Sequence, residues 1–209
     1  METRQQEVHI IICEGSSEVA YLQELNRLLR ENEIPLVYIQ KPCDGGQYSK
    51  VVRKYKEVRK ENRRSPIHIC IDYDTYLRNN SNNWTSYRNR PQGIPEFLFT
   101  TMNFEDFLSL HLDKTLSDSW HHLCSRNNHF SSPMHSETYT PLFTANIIPG
   151  YRKGEIPFSL SAGHLFLLFD NLNNPKNPFP CGFGASLQQH LRALDRLDML
   201  GNRRWIEEA

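Results

Sequence analysis

The chain of 209 residues holds no apolar run near the roughly 18 residues that a membrane span requires, and its first residues, METRQQEV, lack the apolar centre of a secretory signal. A soluble cytosolic protein without a membrane partner is therefore expected. Its five cysteines (Cys13, Cys43, Cys70, Cys124 and Cys181) are odd in number and widely spaced, with no CxxC pair. That argues against a disulfide frame and against a thiolate zinc site. Neither sign of charge is in excess, with 24 basic and 24 acidic residues, which argues against a protein that coats nucleic acid. Any nucleic-acid surface must come from local clustering. A glycine-rich phosphate loop is also missing, which disfavours small-molecule phosphotransfer. No internal repeat or low-complexity tract is present.

What the chain does have is a stretch around which the rest can be ordered, VHIIICEGSSEVAYLQELNRLL, residues 8–29. Val8, Ile10, Ile11, Ile12 and Cys13 form a nearly continuous apolar run, as in a strand covered on both faces of a parallel sheet. Glu14 follows at the carboxyl end, where the loops of an open α/β sheet leave a crevice for ligands. Ser16 or Ser17 can cap the next helix, whose inward stripe is Leu22, Leu25 and Leu29. Extending that stripe back four residues reaches Glu18. A carboxylate on a buried line needs a partner. Two readings fit: a metal ion shared with Glu14, or a simple favourable interaction with the helix N-terminus.

A second strand is expected at Ile34–Ile39, a turn at Cys43–Gly46, and a helix from about Tyr48 to Glu61. The outer face of that helix carries Lys50, Arg53 and Lys54 among other cations, either a solvated face or a surface that tracks phosphates. A third strand, Ile67–Ile71, runs into Asp72-Tyr73-Asp74. The order β-α-β-α-β implies right-handed crossovers and a parallel sheet. If strands one and three are neighbours, Glu14 meets Asp72 and Asp74 at one edge. Two aspartates at i and i+2 in extended chain point to one side, so both can face one cation.

Residues 77–93 are polar and asparagine-rich, with Trp84, Tyr87, Arg88 and Arg90 interleaved. Such a segment suits stacking on unpaired bases or is a mobile surface insertion. Phe97–Phe99 reads as a fourth strand. Asn103 caps a following helix on which Glu105 shares a line with Leu108 and Leu112, again an acid leaning inward after a strand. His111, His121, His122, Cys124, His129 and His135 crowd one region, but their spacing fits no familiar zinc pattern. Tyr151-Arg152-Lys153-Gly154 offers cations in a loop, as phosphate ligands or as a plain turn. A helix is expected at Leu165–Leu172, a Pro/Asn/Gly-rich connection at Asn171–Gly184, and a last helix with Leu187, Leu191, Leu194 and Leu197 facing the core or another subunit, so a homo-oligomer stays open.

Taken together, IIICEGSSEVAYL, ICIDYD and NFEDFLSLHL resemble the topoisomerase-primase (TOPRIM) domain, and within it the RloB-like family of bacterial defence systems. The resemblance covers residues 8–112. Its motifs fall on Glu14, Gly15 and Glu18 after strand one, Asp72 and Asp74 after strand three, and Glu105 after strand four. The chain has the shorter EGSSE and MNFE where RloB-like sequences carry an extra residue with a Thr and an Asn-Pro pair. The resemblance implies an open parallel TOPRIM (Rossmann-like) sheet over residues 1–115, with a polar insertion at 77–95, and a helical region at 116–209. It also implies Mg²⁺- or Mn²⁺-dependent phosphodiester cleavage. Glu14, Glu18, Asp72, Asp74 and Glu105 would bind metal, and Glu14, Asp72, Asp74 and Lys153 would carry the catalysis. Lys50, Arg53, Lys54, Arg88, Arg90 and Arg152 would contact DNA or RNA, tRNA included. The implied setting is a toxic effector held by an ABC- or AAA-type ATPase partner. A non-catalytic binding or assembly module is the alternative.

Overall fold

The computed structural model describes residues 6–78, 82–174 and 181–194. Four parallel strands, β1 (Glu7–Cys13), β2 (Leu36–Pro42), β3 (Ile67–Ile71) and β4 (Phe97–Phe99), form one open sheet in the order β2-β1-β3-β4. Helices cover both faces, which gives a Rossmann-like α/β architecture. The central strand explains the continuous apolar run. Ile10 and Ile12 point into one core with Val51, Val58, Ile69 and Ile71, whereas Ile11 and Cys13 point into the other with Leu22, Leu25 and Phe107. Each buried aliphatic side chain contributes about 1.5–3 kcal/mol.

Helices α1 (Ser16–Glu31) and α2 (Tyr48–Glu61) make the first two crossovers, on opposite faces. The order reverses between β2-β1 and β3-β4, so the loops after β1 and β3 part at the carboxyl edge. The second strand begins two residues later than expected, because Ile34 is used in the turn that closes α1, its N–H bonding Leu29 O at 2.9 Å. The cap of α1 also differs from expectation. Gly15 occupies it, and its N–H donates to Glu18 Oε2 at 3.1 Å.

The described residues of the polar segment after β3 hold more helix than its composition implies. Asp74–Arg78 forms the short helix α3 and Asn83–Arg88 forms α4, which buries Tyr87 and packs Trp84 against the core. The aromatic residues that made it look like a stacking loop also anchor it. After β4 come α5 (Phe104–Ser109), α6 (Lys114–Arg126), α7 (Ser136–Asn146), α8 (Ala162–Asn173) and α9 (Gly182–Ala193). Leu187 and Leu191 of α9 are fully buried in the core rather than presented to another subunit, and Leu197 lies outside the described residues. Among the described residues, no helix is long and apolar enough to cross a membrane.

Candidate metal centre

Strand β1 ends at Cys13, and the next residue, Glu14, bends over the carboxyl edge. Its carbonyl accepts from Gly45 N at 3.1 Å, and a Cβ at Gly46 would overlap its carboxylate. Glu18, one helical turn into α1, is 5 % exposed. Asp72 follows β3, where Thr100 Oγ1 donates to its Oδ1, and Tyr73 N donates to Thr101 O at 2.8 Å. Adjacent strands thus deliver three acids to one point. One carboxylate oxygen each from Glu14, Glu18 and Asp72 lies within 4.8 Å of the others.

Electrostatics make this arrangement costly without a cation. Burial raises the pKa of Glu14, and Asp74 raises it further, while the backbone of Asp72 and Gly46 and the Lys153 ammonium pull the other way. Burial, with a contribution from Glu14, pushes Glu18 up to about 7. Asp72 is raised by burial, then by Glu18, Glu14 and Asp74. Like charges at this separation cannot all ionise without compensation. Glu14 Oε2 is buried without a hydrogen-bond partner. An all-oxygen donor set with such an orphaned atom fits a hard divalent ion such as Mg²⁺ or Mn²⁺.

The other two predicted ligands, Asp74 and Glu105, lie outside this trio. Asp74 does not continue an extended strand, as the i, i+2 argument assumes, but opens α3, with its N–H on Met102 O at 2.9 Å. It acts on the trio through its charge on Glu14 and Asp72. Glu105 is fully buried in α5, where its Oε1 accepts from Tyr151 Oη at 3.0 Å and Thr140 Oγ1 at 3.4 Å, and its Oε2 has no partner. Burial raises its pKa, and Lys153 opposes the rise.

Lys153 reaches the acids because the loop that carries it is docked on α1. Gly154 has φ +92°, a backbone region that favours glycine, and its N–H donates to Ser17 Oγ at 3.1 Å. Lys153 Nζ then donates to Tyr139 Oη at 3.2 Å. Tyr139 itself is buried, and the charges of Glu105, Asp72 and Asp74 add to burial in raising its pKa. Its role was invisible in sequence because no motif surrounds it. Arg152 is exposed beside Lys153.

A cavity of about 580 Å³ lies on the other side of the loop after β3, and none of the predicted ligand acids lines it. Tyr73, held between Asp72 and Asp74, forms one wall, with Trp84, Tyr87, Arg88, Phe97 and Phe99 among the others. The Arg90 guanidinium lies 4.7 Å from the Tyr87 ring centre and pairs with Glu96 at 3.6 Å. Lys50 and Arg53 are exposed on α2 and Lys54 is half-buried there, and α2 joins α4 through Tyr48 N donating to Asn83 Oδ1 at 3.1 Å.

In the histidine-rich region, Asp106, Cys124 and His129 offer ligand atoms within metal-binding distance and are fully buried. Their bonding is already complete. Asp106 accepts from Trp120 Nε1 at 2.8 Å, Asn103 N at 3.1 Å and His129 Nε2 at 3.1 Å, while His129 Nδ1 accepts from Met134 N at 2.9 Å. This is a structural network that ties α5 to α6 and the loop after it. His111 bonds Tyr21 Oη at 2.9 Å, and His122 and His135 are exposed.

No family model matches the chain, and no curated protein or solved structure matches it. The fold and the acidic cluster together define a Rossmann-like α/β protein able to bind a divalent metal ion at the carboxyl edge of its sheet.

Proposed function

We propose that this protein is a divalent-metal-dependent nuclease of the TOPRIM kind, similar to the RloB-like defence effectors, that hydrolyses phosphodiester bonds in DNA or RNA. The observation that carries the reading is the convergence of Glu14, Glu18 and Asp72 on one point, with the Glu14 Oε2 atom buried and unpartnered. Bound there, Mg²⁺ or Mn²⁺ would supply a hydroxide nucleophile at neutral pH and neutralise charge on the phosphate.

The chain's own residues supply the rest. Glu14, Glu18 and Asp72 would hold the ion, and Asp74 adds its negative charge to theirs. Glu14, whose pKa is raised by burial and by Asp74, doubles as the candidate general acid or base between water and the leaving oxygen. Lys153, fixed by Tyr139, places a cation where a scissile phosphate would meet the acids. Glu105 orients Tyr151 by accepting from its hydroxyl. The aromatic cavity next to Tyr73 suits an unstacked base, with Arg88 and Arg90 at its lining and Lys50, Arg53, Lys54 and Arg152 as outer phosphate contacts. The setting that goes with this reading is the toxic effector of an anti-phage or restriction-associated system, restrained by an ABC- or AAA-type ATPase.

The test is incubation of purified protein with Mn²⁺ and a mixture of single-stranded DNA, duplex DNA, RNA and tRNA, with and without an ATPase partner. Cleavage that Asp72→Asn abolishes supports the proposal. Cleavage no greater than that of Asp72→Asn on every substrate favours the non-catalytic module instead.

A further inference from the structure

A second cluster of ligand side chains lies at the opposite end of the sheet. His9 near the start of β1, His68 near the start of β3 and His190 of α9 bring ring nitrogens within 4.8 Å of one another. His9 is buried, and His68 and His190 are half-buried. The pairing Ile11 with His68 sets the two strands so that His9 and His68 point to the same face, the face on which α9 packs. His9 Nδ1 is 2.8 Å from His68 Nε2, and the His9 and His190 ring centres are 4.3 Å apart.

The partners of these rings are what distinguish the cluster from chance packing. His9 Nε2 faces Glu7 Oε1 at 2.7 Å, which places its proton on Nε2 and leaves Nδ1 as a lone pair turned toward His68. His190 Nδ1 is engaged by Tyr38 Oη at 2.8 Å, leaving Nε2. A carboxylate or hydroxyl on the far nitrogen of each ligating imidazole is the usual support of a metal-binding histidine. Burial and the neighbouring imidazoles lower the pKa of His68 to about 4, and burial lowers that of His190.

We propose that His9, His68 and His190 form a site for a borderline transition-metal ion, Zn²⁺ first among them, independent of the acidic cluster. The donor set is imidazole only, which suits Zn²⁺, Ni²⁺ or Cu²⁺ and not Mg²⁺. In the hydrogen-bonded state a proton on His68 Nε2 bridges to His9 Nδ1. Moving that proton to His68 Nδ1 frees both facing nitrogens for the ion, with no change in the number of bound protons. Because the ligands come from β1, β3 and α9, an ion held there would clasp the last described helix to the centre of the sheet. The three imidazoles leave a fourth position to water or an added ligand.

The test uses the full chain, stripped with a chelator and titrated with Co²⁺ for its visible bands and with Zn²⁺ against a chromogenic chelator. One equivalent of Zn²⁺ is expected to bind and to raise the melting temperature. His190→Gln and His68→Gln are each expected to weaken binding by about tenfold or more, whereas Asp72→Asn leaves it unchanged. Absence of Zn²⁺ binding by the wild-type chain overturns the proposal, whatever the folding of the variants. Wild-type affinity in a folded His190→Gln or His68→Gln chain overturns it too, as does loss of the tight equivalent in Asp72→Asn, which would place the ion among the acids.

Discussion

Gly46 packs against the Glu14 carboxylate so closely that even one added carbon would overlap it. The turn after β2 therefore sets where the acid at the end of β1 can lie. Gly46→Ala should push Glu14 out of register with Glu18 and Asp72. Overpacking of this kind costs about 1–3 kcal/mol, so a lowered melting temperature is expected together with a loss of Mn²⁺ affinity of about tenfold. Melting and titration of the same sample check both.

The raised carboxyl groups make the metal-free protein less stable as pH rises. Glu18 goes from its ordinary 4.5 to about 7 on folding, so between those values the native state binds more protons than the unfolded chain. Its contribution is fully present below the ordinary carboxylate range and is lost as pH climbs through about 7, at up to about 1.4 kcal/mol per pH unit per group. Glu14 and Asp72 act in the same direction. Melting curves of the chelator-treated protein should fall from pH 5 to pH 8, and millimolar Mg²⁺ or Mn²⁺ should restore them at the upper end. Glu18→Gln should flatten the fall.

Lys153 lowers the pKa of Glu14, Glu18 and Glu105 and is held by Tyr139. Removing its charge should therefore separate ion binding from turnover. At pH 8, Lys153→Met is expected to bind Mn²⁺ at least as tightly as wild type, because the local potential becomes more negative, while phosphodiester cleavage falls by about 10²-fold or more. Parallel titration and single-turnover cleavage provide the comparison. Equal loss of both would assign Lys153 to the structure of the loop.

The aromatic cavity gives a complementary prediction. Trp84 is half-buried on α4 and lines the space beside Tyr73. Trp84→Ala should weaken single-stranded nucleic acid by the equivalent of about 1–3 kcal/mol per stacked base, with Mn²⁺ affinity intact. Fluorescence anisotropy with a short labelled oligonucleotide reads the first effect.

Much of this organisation was legible in the residues. The apolar run before Glu14 and the pair Ile69 and Ile71 before Asp72 marked buried parallel strands, and topology then brings the two ends together. Glu18 was legible as an inward acid: it bonds Gly15 N–H at the start of α1 and belongs to the acidic cluster. What spacing could not show was that Asp74 begins a helix, because i, i+2 geometry applies only where the chain stays extended. Helix α4 was hidden by the asparagines in and around it, which mask the anchoring by Trp84 and Tyr87. Tyr139 lies on α7, where Pro141 and scattered polar residues obscure the period, and only tertiary packing brings it to Lys153.

The central claim is that Glu14, Glu18 and Asp72 hold one cation together, and calorimetric titration of Mn²⁺ tests it most directly. A His190→Gln background removes any contribution from the imidazole cluster. The account predicts binding at or below about millimolar, weakened at least tenfold by Glu18→Gln and by Asp72→Asn alike. Absence of binding in that range, or variants that titrate like their parent, would contradict it.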